Sequence, residues 1–231
     1  MPLLLAFDTA GSACSAVVGS GGIVLAGEHQ AMRHGHTEAL LPMIDRVMAT
    51  AGTSPRDLDA IAVSVGPGGF TGIRAGLAAA HGLALATGAR LIGVTSFAAV
   101  AARAGEADAR LLVALDSRRD DFYLQFFAGS GEPIGDPKAV PAEALAAHVN
   151  AAVGDAALRI AGDQAEAAAT LLAGRQPLAI LPESAPEARG VFVAASRALA
   201  AGDATRPTRP LYLRPPDVTL PKPRRASGAT R

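Results

Sequence analysis

Three groups of residues in this chain could do chemistry. The first is the run Gly66-Pro67-Gly68-Gly69-Phe70-Thr71-Gly72, which follows the apolar stretch LDAIAVSV at 58–65. A glycine-rich turn between a strand and a helix is where backbone N–H groups can cradle a phosphate. The second is a pair of carboxylates: Asp8 and Asp116 each close an apolar run and are each followed by a hydroxyl, Thr9 and Ser117. Such carboxylates could orient a metal-bound water. The third is scattered: His34 and His36 with one residue between them, the lone thiol of Cys14, and Asp120, Asp121 and Tyr123 as an acid–base set.

Each group meets a test. A Walker loop needs a lysine after its last glycine, and none stands there. A dinucleotide fingerprint needs glycine at its sixth position, where this run has Thr71, and an acidic residue near the end of the next strand, where RLIGV at 90–94 offers none. What is left is a sharp turn that Gly66, Gly68 and Gly69 permit, in which Pro67 fixes one φ and Thr71 is expected to cap the following helix. A turn with a ligand and a turn without one both remain open on this chemistry. Asp8 and Asp116 read as caps of local amides. His34 and His36 lack a nearby carboxylate or cysteine cluster and read as residues of a helix start. Cys14 sits in an alternating strand and reads as buried. Asp120, Asp121 and Tyr123 read as solvated strand residues.

The elements that must position these residues follow from the hydrophobic period. LLLAFD at 3–8, ACSAVVGS at 13–20 and GIVLAGEHQ at 22–30 are β-rich runs punctuated by Gly19, Gly21 and Gly22, which predicts three antiparallel strands. A helix is expected over 37–52, ending at Gly52 and either starting near Pro42 or kinked there. A buried strand at 58–65, a helix at 71–88 and a strand at 90–94 complete an α/β lobe. The opening pattern then recurs. LLLAFDT at 3–9 matches LLVALDS at 111–117, pairing Leu3 with Leu111, Ala6 with Ala114, Asp8 with Asp116 and Thr9 with Ser117. The repeat predicts two related lobes, residues 1–105 and 106–205, facing each other across a cleft, with 206–231 as a tail. Helices at AEALAAHV, AEAAATLLAG and EARGVFVAASRALAAG and a strand at LRIAG are expected in the second lobe, its last helix packing back on the first.

Composition bounds the function. The chain has 231 residues, 50% of them hydrophobic, enough to bury a real core. Formal net charge is zero, so no long-range field steers it onto nucleic acid or an anionic membrane. One cysteine excludes an internal disulfide and fits a reducing compartment. The start MPLLLAFD lacks a basic segment and carries an early Asp8, so it does not read as a signal peptide, and no run is long enough to span a membrane. A cytoplasmic protein is expected.

DTAGSACSAVV, HTEALLPMI, GPGGFTGIRAGLAAAHGLALATG, IGVTSFAAVA, LDSRRDDFYLQFF and PLYLR, in that order along nearly the whole chain, resemble the TsaB (YeaZ-like) family. The resemblance implies two actin-like (ASKHA, ribonuclease H-like) lobes with mixed sheets flanked by helices. It also implies a dimerisation subunit of the bacterial machinery that makes tRNA threonylcarbamoyladenosine, paired with a TsaD-type transferase. A TsaE-type ATPase joins that complex, tRNA is reached indirectly through it, and the isolated subunit forms homodimers. Departures from the catalytic relative matter. Its metal segment G-V-N-H-L-x-x-H corresponds to GVTSFAAV at 93–100, which places Ser96 and Val100 at the two histidine positions. Its adenine-side glycine loop corresponds to AGDQAE, keeping Gly162 but adding Asp163, and the second phosphate turn carries Arg118 and Arg119. Asp8, Thr9, Asp116, Ser117 and Gly162 therefore read as remnants of a lost site, with no cofactor and no metal expected. The rival class is an ATP-dependent small-molecule kinase or transferase of the same superfamily.

Without chemistry, surfaces must carry the function. Leu40, Leu41, Met43, Ile44, Val47, Met48 and Ala51 cover an arc of roughly 160°, wider than the ~100° stripe one sheet requires. Leu41 and Met48 are expected to face a partner, and Leu40 and Ile44 the sheet. The helix at 72–88 is nearly uncharged, which adds Arg74, Leu77, Ala78, His81 and Leu85 to the expected interface. The tail, with seven Lys or Arg against one Asp and many prolines, reads as extended or disordered.

Overall fold

The computed structural model describes residues 1–175, 178–181, 185–203 and 207–214. Strand β1 (Leu3–Asp8) pairs antiparallel with β2 (Ala13–Ser20), and β2 with β3 (Ile23–Ala31). On its other side β1 runs parallel to β4 (Ala60–Gly66), which runs parallel to β5 (Arg90–Thr95). The sheet order is β3-β2-β1-β4-β5. A second sheet repeats this plan. There β6 (Arg110–Asp116) pairs antiparallel with β7 (Asp121–Phe127), and β7 with β8 (Pro133–Pro141). Parallel to β6 lies β9 (Leu158–Ala161), and beside it β10 (Leu178–Ile180), giving β10-β9-β6-β7-β8. Because β1 and β6 hold the same place in both sheets, Asp8 and Asp116 end equivalent central strands.

The central strands are buried on both faces, and their alternation assigns each face its helices. Leu5 and Phe7 of β1 face α1 (His36–Thr50) and α2 (Phe70–Thr87), whose Leu40, Met43, Ile44, Val47, Ile73 and Leu77 fill that core. Leu4 and Ala6 face the other way, onto α3 (Ser96–Ala104) and α6 (Ala188–Ala200). The second sheet packs α4 (Leu145–Val153) and α5 (Ala165–Leu171) on one face. Against its other face lie Phe97, Val100 and Ala101 of α3, beside Leu111, Val113 and Leu115. One short helix thus serves both cores: Ala99 joins the first, Phe97 and Val100 the second. At the start of α6, the Ala188 N–H donates to the buried Ser15 hydroxyl of β2 (2.9 Å), which fixes this last helix to the first sheet.

Several expectations are corrected. The first helix begins at His36 and carries Pro42 inside it rather than starting near the proline. The second begins at Phe70 with Gly69 as its N-cap, so Thr71 lies within the first turn and caps nothing. The pattern missed α3, β8 and β10. Helix α3 has only nine residues, shorter than the window in which a helical period is legible; β8 is an exposed edge strand carrying Pro133, Pro137 and Pro141.

Candidate functional site

The glycine run closes on the chain itself. After β4, Gly66 takes φ 98°, and the Gly69 N–H donates to the Ala10 carbonyl in the β1–β2 turn (2.8 Å). A Cβ on Gly68 would run into that same carbonyl, and one on Gly72 into the Thr9 carbonyl. A Cβ on Gly76 would lie 2.5 Å from Thr9 Oγ1, whose hydroxyl donates to the Gly72 carbonyl at 2.8 Å. Gly68, Gly72 and Gly76 therefore form a stripe that lets the turn and α2 press against the backbone at Thr9 and Ala10. Positive φ is required at Gly66; at Gly68 the constraint is space.

Asp8 is fully buried. Its Oδ2 accepts a long hydrogen bond from the Gly11 N–H (3.4 Å), the local cap expected of it. Burial pushes its carboxyl above the usual range, offset in part by Ser64, by the Gly11 and Ala10 amides and by His36. The Ser64 hydroxyl lies close without a hydrogen bond of good geometry, and Asp8 Oδ1 has no partner among the described residues. Asp116 is exposed and its Oδ1 accepts from the Arg118 N–H (2.7 Å). Its own N–H donates to Asp163 Oδ1 (2.9 Å), whose carboxyl burial pushes up. Ser117 spends its hydroxyl on the Asp121 carbonyl (2.7 Å) and also meets the Asp121 carboxylate. Gly162, with φ 112°, crosses directly over the Ala114 backbone.

The segment expected to differ from the catalytic relative lies in the core. Val100 is 0% exposed and packs between the sheets, and Ser96, also 0% exposed, starts the same helix. Among the described residues no group of three or more His, Cys, Asp or Glu could hold a metal ion. Cys14 is buried, and burial first, then the charges of Asp8 and Glu28, raises its thiol to about 11, so no thiolate is available near neutral pH. Beside the first sheet lies a cleft of about 280 Å³, lined by Arg33 and His34 from the β3–α1 turn, His36 from the start of α1, Gly69 and Thr71 from the start of α2, and Arg118 from the β6–β7 turn. Arg118 reaches it from a left-handed conformation (φ 61°), with its guanidinium against Gly69.

Of the residues expected at an interface, Leu41 is 50% exposed and Leu85 89% exposed, and Arg74, Ala78 and His81 share the outer face of α2. Met48 and Leu77 do not: they are 3% and 6% exposed and belong to the first core. Met48 shares its side of the helix with Leu41, but the turn after α1 covers it. Thr53 donates its N–H to the Met48 carbonyl (3.1 Å), and its hydroxyl lies 3.7 Å from Met48 Sδ. Asp121 is likewise not solvated, being 8% exposed and ion-paired with Arg214, whereas Asp120 is exposed and Tyr123 half-buried. Two residues were missed. Phe70 stacks on Tyr212 (centroids 5.6 Å apart) with the Arg74 guanidinium 3.7 Å over the Phe70 ring. The tail residues 207–214 are packed rather than free; the others, 206 and 215–231, lie outside the described residues.

Residues 21–172 match the family model described as TsaD, tRNA N6-adenosine threonylcarbamoyltransferase. The chain is 39% identical over 122 residues to the tRNA threonylcarbamoyladenosine biosynthesis protein TsaB of Escherichia coli, a match spanning 52% of each chain, so about half the length of that relative is covered. Its fold is similar to YeaZ from Pseudomonas aeruginosa, with a TM-score of 0.78 and 29% identity over 92% of this chain and all of that one. A likeness in fold alone extends to a ROK hexokinase from Thermus thermophilus (TM-score 0.53, 16% identity, 87% of this chain and all of that one), as expected of an actin-like pair of lobes. With both sheets, the glycine turn and these matches in agreement, the chain belongs to the TsaB (YeaZ-like) family.

Proposed function

We propose that this chain takes part in tRNA threonylcarbamoyladenosine biosynthesis as a non-catalytic scaffold that dimerises with a TsaD-type transferase and supports transfer to the adenosine beside the anticodon. The observation that carries the non-catalytic reading is Val100. At the position of a metal-ligating imidazole in the catalytic relative, this side chain fills the core between the sheets, leaving neither ligand nor space. The glycine turn supports it, since the room a phosphate would need is taken by Thr9 and Ala10. The docking face is the outer side of α1 and α2 with Leu41, Arg74, Ala78, His81 and Leu85; apolar side chains as exposed as Leu85 there favour a partner. A homodimer through the same face when alone, a TsaE-type ATPase in the full assembly, indirect contact with tRNA and a cytoplasmic location complete the proposal. No helix among the described residues is long and apolar enough to cross a membrane.

The test is a mixture with the TsaD-type subunit on size exclusion, together with a metal assay on the protein purified without chelator. A stable heterodimer and no stoichiometric zinc or iron are expected. One tightly held metal per chain, or no association, overturns the reading. A second reading, an ATP-dependent kinase or transferase, is favoured by the basic cleft at Arg33 and Arg118. It requires ATP turnover above background by the isolated chain.

A further inference from the structure

Residues 207–214 touch both sheets. The Pro207 carbonyl sits over Gly93 of β5, in space that a Cβ there would occupy. Further on, the Leu211 N–H donates to the Val65 carbonyl of β4 (2.8 Å), and its side chain packs against the core beneath α1 and α2. Leu213 packs instead on the core between the sheets, with Phe97 and Val100. Arg214 then pairs with Asp121 at the start of β7, a carboxylate whose side chain is only 5% exposed. A segment of extended chain thus crosses from the first sheet to the second and is fastened at each end. Between these fastenings Tyr212 turns outward, 43% exposed, stacking on Phe70 while its hydroxyl accepts from Arg74 Nε (3.1 Å).

We propose that this segment is a clasp that holds the two sheets at one relative position, and that Tyr212 makes it part of the docking face on α2. The second half rests on the reading of that face as the surface for the TsaD-type chain. The physical case has two parts. An Arg–carboxylate pair with one partner buried is strong enough to fasten a short strap, because losing the arginine leaves the desolvated Asp121 carboxylate unmatched. An aromatic pair with an arginine over one ring is the type of cluster that dominates interface energetics, since it is rigid, amphipathic and large in area. Here Phe70 and Arg74 belong to α2, so the clasp and the docking face share side chains. Movement of the clasp alters the surface a partner meets.

Two measurements on the full chain test this. In hydrogen exchange, Arg214→Ala and Asp121→Asn break the same pair from opposite sides. Both should speed exchange of the Leu211 amide by about tenfold or more, with the amides of β1 and β4 unchanged. Asp121→Asn leaves no buried charge, so it separates loss of the clasp from general destabilisation. Undiminished Leu211 protection in both variants overturns the clasp. For the docking half, Tyr212→Ala should weaken binding to the TsaD-type partner by about tenfold with an unchanged melting temperature. Leu85→Glu serves as the reference. Weak binding by Leu85→Glu with full binding by Tyr212→Ala overturns the role of the clasp in docking. Full binding by both removes α2 as the docking face, and the exchange result alone then decides the clasp.

Discussion

Two glycines in and beside the same helix have opposite expected effects when an alanine replaces them. At Gly68 an added Cβ meets the Ala10 carbonyl, backbone that cannot move without disturbing the β1–β2 turn. Gly68→Ala should cost about 1–3 kcal/mol of stability, as overpacking does. Gly82, inside α2, has nothing within 4 Å of the same position, and Gly82→Ala should stabilise by about 0.5–1 kcal/mol through the entropy of the unfolded chain. Urea unfolding of both variants checks the contrast; equal effects would mean that the turn is not held against Thr9 and Ala10. Asp8 gives a pH signature. Its folded carboxyl is raised above the ordinary value of 3.8, chiefly by burial, so the native state holds its proton longer than the unfolded one. Stability from this group is fully present below the unfolded value and falls as pH rises through the folded one. The melting temperature of Asp8→Asn, compared with the parent across acid to neutral pH, should gain on it as pH rises. A constant difference would remove Asp8 as the cause.

At the scale of elements, α1 shows why an apolar arc does not name a surface. Leu41 and Met48 lie on the same side of the helix, yet one is half exposed and the other covered by the turn that Thr53 folds back. Met48→Glu therefore puts an unpaired charge in the core and should lower stability by about 3–5 kcal/mol. Leu41→Glu should leave the melt within about 0.5 kcal/mol of the parent while reducing assembly with the TsaD-type chain. Thermal melts and size exclusion on the two variants separate these effects. A folded Met48→Glu protein that fails to assemble would restore Met48 to the interface.

The whole molecule depends on α3, which contributes to the core of each sheet. Phe97 is fully buried and packs with Leu111, Val113 and Leu115 of the second sheet, while Ala99 on the same helix belongs to the first core. Phe97→Ala should cost about 3–5 kcal/mol. Because the helix is shared, the loss should be felt in both sheets, read as faster hydrogen exchange in β4 as well as in β6. Loosening confined to the second sheet would show that the cores are independent.

Much of the chain's plan was legible in its residues. Continuous apolar runs marked β1, β2, β4 and β6 because strands buried on both faces must be apolar throughout, and the recurrence of LLxAxD with a hydroxyl pointed to two sheets of one design. The glycines at 66–76 announced a tight turn but not its reason, since a ligand and a nearby backbone demand the same absence of a Cβ; only the position of Thr9 and Ala10, more than fifty residues upstream of the turn, distinguishes them. Likewise Asp121 could not be read as buried, because its partner Arg214 is distant in the chain, nor Met48 as covered, because Thr53 belongs to no periodic pattern. Local sequence specifies backbone shape and which faces are apolar. Which of those faces is already covered depends on segments brought together by the fold, and that only the tertiary structure decided.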